Sequence, residues 1–413
     1  MEGAPVRRAL WTPVLAGLAL LLAGLAAAQK PLHKDLPLND PRQCPYCEGD
    51  PGRMAAAGIV SHGGFPVGKG TTATVDEQLA GFDVFWIETA HHAIGLEVAP
   101  YKVPAKERDR FESDLAELRV VLPAIPEKIR SLDPWLRGHL YAHRVEKLYA
   151  WMQETLEVTD EVFPQRTDGK FDPAQGYFGM GPFLGMARKY EVLVMTSQAS
   201  CSQWLLENYG IKTKFAQRWH EAERGALMLV THLGEGGRRV DEALHAHLTY
   251  NLVQNYLNGY KHYSYDKPVW MLQGLAHWAE RQVSRRYNNF DSGEGSAGER
   301  TTKENWEPPT RKLVAGEKAP SLGALIRMRS TGEMDLERHF VTWSMFDYLQ
   351  REHPGAVGKL LNAVSGLMTA EYMPDGGRVG EATREAFREH LGMTTVAFEQ
   401  RWRAWVLETY STR

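Results

Sequence analysis

The sequence predicts an α+β protein, with a small mixed sheet and a helical C-terminal subdomain. Three observations predict it. Short runs rich in aromatic and β-branched residues, such as FDVFWIETAHHAIGLEV at 82–98, alternate with segments of helical spacing. Two helical patterns, LHAHLTYNLVQNYL at 244–257 and PVWMLQGLAHWAE at 268–280, follow a strand pattern closely. The last hundred residues or so read as helix almost throughout.

The elements follow in chain order. Arg7 and Arg8 precede an apolar run that ends in Ala26-Ala27-Ala28, which predicts a secretory signal peptide over 1–28 and an exported (periplasmic or secreted) chain. The run approaches spanning length, so an uncleaved anchor is the alternative. No later apolar run is long enough to span a bilayer, so no stable membrane insertion is expected after cleavage. Residues 29–80 are rich in Pro and Gly and predict an extended segment. It contains the pair Cys44 and Cys47 in QCPYCEGDP, and in an exported chain the simplest reading of C-x-x-C is a disulfide. A metal knuckle is the second reading, with His62 the one close further ligand. A redox dithiol is the third, against Pro-rich flanks that lack a preceding strand. Cys201 reads as a buried, inert thiol.

Residues 81–185 form an N-terminal α+β region of one or two strands, then two helical patterns in which Leu136, Leu140, Leu148 and Met152 mark one stripe. The glycines at 179, 181 and 185 precede a strand instead of following one, so they read as a loop and not as a phosphate cradle. The core at 186–287 reads as strand 191–196, helix 198–208, strand 224–233 and the two helices, the first opened by Asp241 and the second by Asp266 and Pro268. Residues 288–319 are polar and aperiodic, a loop or insert, and 320–413 form the helical subdomain. A net charge of −3 gives no general reason to bind nucleic acid.

Other catalytic patterns are weak. SHGGF at 61–65 resembles an oxyanion loop, yet the chain has no G-x-S-x-G. His91 and His92 fall in a strand pattern, which would send their side chains to opposite faces.

A zincin needs two imidazoles one helical turn apart, with a carboxylate base beside the first, in the pattern H-E-x-x-H. Here a strand ending MLVTHL leads to a helix with HLTYN, a short connection and PVWMLQGLAHW. With Trp270, Gly274, Leu275 and Ala276 in a W-x-x-x-G-L-A pattern, and a closing segment ATREAFREHLGMTTVAFEQRWRAWV, the chain resembles the peptidase-MA-like gluzincins of bacteria over roughly residues 185–410. The resemblance implies a zincin-like core: a small mixed sheet, an active-site helix and a following helix.

Carried over by position, His247 matches the first metal-binding histidine, Leu248 the base, Asn251 the second histidine and Gln273 the ligand glutamate. Leucine accepts no proton, and amides are far weaker zinc ligands than imidazole or carboxylate. The resemblance therefore implies a pseudopeptidase: no zinc or other cofactor, no catalytic residue, and His247, Asn251 and Gln273 lining a binding cleft and hydrogen-bonded to one another directly or through one water. The expected partner is an extended peptide or a cell-envelope component, paired along an edge strand supplied by GALMLVTHL at 225–233. Two alternatives stand beside it. One is an active zinc metallopeptidase with relocated ligands His247, His277 and Glu280; the other is a structural envelope protein with a vestigial cleft.

Overall fold

The computed structural model describes residues 32–165, 177–264, 266–291, 304–371 and 373–413. The expected signal peptide at 1–28 lies outside the described residues, as do residues 292–303 of the insert. In chain order the first elements are α1 (Pro51–Ala56), β1 (Ile59–Ser61), a hairpin of β2 (Pro66–Val67) and β3 (Gly70–Thr71), and α2 (Thr72–Gln78). Then come β4 (Phe85–Thr89), β5 (His92–Leu96), β6 (Tyr101–Lys102), α3 (Arg108–Val121), β7 (Ser131–Leu132) and α4 (Pro134–Leu156). The central part holds β8 (Tyr190–Met195), α5 (Gln198–Tyr209), β9 (Gln217–Glu221), β10 (Ala226–His232), α6 (Asp241–Gly259) and α7 (Val269–Val283). The C-terminal helices are α8 (Glu307–Ala315), α9 (Leu322–Ile326), α10 (Leu336–Glu352), α11 (Ala356–Ala363), α12 (Val379–Leu391) and α13 (Thr395–Thr409).

The architecture is α+β. One mixed sheet runs β1-β4-β5-β8-β10-β9, with β5, β8 and β10 parallel and β9 antiparallel at the edge. Its central strands read as continuous apolar runs because both faces are covered. Val192, Val194, Leu227 and Leu229 face the core shared with α4 and α6, whereas Leu193, Met195, Met228 and Val230 face α5, with Cys201 and Trp204. Burial pushes the Cys201 thiol up to about 12, as an inert core thiol requires.

Beyond the sheet, α7 lies between α6 and α10. Gly274 permits that closeness: a Cβ there would stand 2.4 Å from Phe346 Cδ2 and 2.8 Å from the Thr342 carbonyl of α10. The loop glycines act similarly. Gly179 has φ +95°, and its missing Cβ would meet the Lys261 carbonyl at 2.1 Å, so this loop packs on the α6–α7 connection.

Several expectations need correction. The segment at 29–80 is not merely extended, since β1 joins the sheet beside β4. Cys44 and Cys47 are free, buried thiols and not the expected disulfide. Asp241 does not cap α6, whose N-cap is Val240; it is fully buried instead, in ion pairs with Arg110 and Arg144. The polar stretch at 288–319 contains α8. The strand at 225–233 is interior, bonded to β8 on one side and β9 on the other. The sheet edge beside the two helices is β9, in a stretch where no strand was predicted.

Candidate functional site

Helix α6 presents His247 and Asn251, one turn apart, to a cleft of about 290 Å³ bounded by β9, β10 and the segment 289–291 that follows α7. His247 is a neutral imidazole: burial holds its pKa well below the ordinary value, reinforced by the nearby Arg238 charge. Both ring nitrogens are engaged. Nδ1 lies 2.8 Å from the Asn289 Oδ1 acceptor, to which it donates, and Nε2 lies 3.0 Å from the Thr231 hydroxyl of β10. The Asn251 amide donates to the His247 carbonyl at 2.8 Å and lies 3.2 Å from the ring.

Arg218, projecting from β9, organises the rest. Its guanidinium donates to Asn251 Oδ1 at 3.1 Å, Gln254 Oε1 at 2.9 Å and Asp291 Oδ1 at 2.7 Å. Gln273 on α7 is fully buried; it accepts from the Tyr250 hydroxyl at 2.7 Å and donates to Asp291 Oδ2 at 3.0 Å. The sequence-predicted trio thus meets only in part. His247 and Asn251 touch directly, whereas Gln273 reaches Asn251 through Asp291 and Arg218, with no direct bond to either partner.

These residues do not fit a zinc ion. Leu248 is packed in the core and offers no proton acceptor. Both His247 nitrogens and the Asn251 and Gln273 carbonyl oxygens already have partners, and the cation among these acceptors is a guanidinium. Five fixed N–H donors suit several oxygen acceptors at once, which is arginine chemistry.

The relocated-ligand set is not assembled either. His277 Nδ1 is 2.6 Å from Glu280 Oε1, and its Nε2 is 2.9 Å from His339 Nδ1. Asn289 stands between this pair and His247, donating from Nδ2 to Glu280 Oε2 at 2.8 Å. Burial, and then the neighbouring His339, hold the His277 pKa well below its ordinary value. The result is a buried hydrogen-bond chain, His339–His277–Glu280–Asn289–His247, with no nitrogen of His247 or His277 left for a shared ion.

Elsewhere, His91 and His92 do not diverge. They stand at the turn into β5, and both rings donate to Glu146 of α4, at 2.6 and 2.7 Å. That cluster joins helix to sheet among Tyr149, Tyr190 and Tyr256.

Sequence reasoning missed Arg218, Gln254, Asn289 and Asp291. Arg218 sits in QRWHE, which has no apolar run because every residue of β9 is partly exposed. Asn289 and Asp291 lie in a polar stretch whose composition gives no sign of return to the cleft. No family model matches the chain, and no curated protein shows significant similarity to it.

Proposed function

We propose that this chain is a non-catalytic, exported pseudopeptidase of gluzincin-like build that captures an extended peptide along β9. The observation that carries the reading is the edge of the sheet. β9 bonds to β10 on one side, and among the described residues no strand pairs with its other side. An edge strand offers a row of main-chain donors and acceptors to a further strand, and this mode of binding needs no metal. Gln217, Arg218 and Trp219 of β9 line the cleft together with His247, Asn251 and Tyr263, so a peptide on that edge would lie beside the Arg218 network. The peptide supplies main-chain hydrogen bonds, and the cleft's amides and arginines select polar side chains.

The test is incubation of the full chain with a library of extended peptides, followed by mass spectrometry of retained and released material. Retention of a subset, uncleaved, is the expected result. Chelator-sensitive cleavage would instead establish a peptidase. Neither retention nor cleavage would leave a structural role in the envelope as the better reading.

A further inference from the structure

A second cluster lies far along the chain from the cleft residues, where the N-terminal segment meets α4. The turn Cys44–Cys47 brings its two thiols against two imidazoles. Cys44 Sγ is 3.2 Å from His139 Nε2 of α4, and Cys47 Sγ is 3.5 Å from His62 Nε2, just past β1. Ligand atoms of Cys44, Cys47 and His139 all lie within 4.8 Å of one another, the only such group of three or more among the described residues. All four side chains are buried, the two cysteines completely.

We propose that Cys44, Cys47 and His139 hold a structural zinc ion that fastens the N-terminal segment to the core, with His62, in contact with Cys47, closing in as the fourth tetrahedral ligand. Cys44, Cys47 and His139 already stand close enough to share one ion, whereas His62 touches Cys47 alone and completes the set by a small shift toward the other three. Zinc bonds of about 2.3 Å to sulfur and about 2.0–2.1 Å to nitrogen put tetrahedral S and N ligands about 3.6 Å apart. The two observed sulfur–nitrogen separations lie near that value. Supporting contacts orient the ligands. His62 Nδ1 is 3.0 Å from the Trp86 carbonyl, so that nitrogen carries the proton and Nε2 turns its lone pair to Cys47. The Cys47 amide lies 3.4 Å from Cys44 Sγ, where it donates to the sulfur across the C-x-x-C turn. Tyr46, between the cysteines, donates to Asp133, the N-cap of α4.

Competing uses of the cysteines fit less well. A dithiol redox centre requires an accessible thiolate, and both thiols have no exposed surface. A disulfide would leave two buried imidazoles facing sulfur without a ligand to share. Zinc uses all four donors, with two thiolates offsetting the ion's charge. Such a site contributes directly to folding, because its donors are scattered in the unfolded chain.

The experiment uses the full chain, purified without chelator. Metal analysis should find roughly one zinc per chain, retained in His247→Ala and lost in Cys47→Ser and His139→Ala. Cobalt(II) in place of zinc should give a thiolate-to-metal charge-transfer band and the visible bands of a tetrahedral ion. That readout needs no variant, so misfolding of the cysteine variants leaves the question decidable. After denaturation with chelator, all three cysteines should titrate as thiols. A chain without bound metal, a single titratable thiol, or zinc lost in His247→Ala but kept in Cys47→Ser would each overturn the site. Because these residues are remote from β9, failure here leaves the peptide-capture reading untouched.

Discussion

Arg218 reaches from the sheet edge to α6 and to the segment after α7, and satisfies Asn251, Gln254 and Asp291 together. A positive charge is thus held at the helix pair by a side chain. Building a zincin pattern through Leu248→Glu, Asn251→His and Gln273→Glu should therefore give only weak zinc binding while Arg218 remains. Adding Arg218→Ser removes the competing cation and should tighten binding by about tenfold or more, an advantage of roughly 1.4 kcal/mol. Zinc titration against a competing chelator compares the two. Equal affinities would mean that Arg218 does not compete for the ligands. The histidine at 247 was legible from its one-turn spacing to Asn251. Its partners Asn289 and Thr231 were not, because tertiary packing and not local pattern brings them in.

Among the elements, the two helices and most strands could be read directly, since α6, α7, β8 and β10 carry strong apolar signals. β9 could not, because a half-exposed edge strand needs few apolar residues. The apolar pattern at 225–233 does not reveal that β10 is interior, because an edge is defined by what pairs with it, which composition does not record. The W-x-x-x-G-L-A pattern has a local cause in the contact of α7 with α10. Gly274→Ala should destabilise the chain by about 1–3 kcal/mol, because the added Cβ overlaps Phe346 and the Thr342 carbonyl. Urea unfolding reads this directly, and an unchanged midpoint would show that α10 can shift at no cost.

For the whole molecule, Asp241 joins α6 to α3 and α4 through Arg110, Arg144 and the Tyr141 hydroxyl. Burial alone would raise its pKa, but Arg144 and Arg110 outweigh burial and hold it at about 2, below the usual 3.8. A carboxyl depressed on folding stabilises the fold above its unfolded pKa, and the gain fades as pH falls through the folded value. The contribution is about 2 kcal/mol near neutrality, lost between about pH 4 and pH 2. Comparison of acid unfolding should show that Asp241→Asn, though less stable at pH 7, loses less stability than the parent chain across that window. Equal losses would mean that other carboxyls carry the acid transition.

The central claim, that the cleft binds a peptide along β9 without chemistry, is tested most directly by hydrogen exchange. Amides of Gln217–Glu221 should exchange more slowly once a retained peptide is added, with no cleavage product over the same period. Protection confined to other elements, with β9 exchanging as fast as in the free chain, would contradict it.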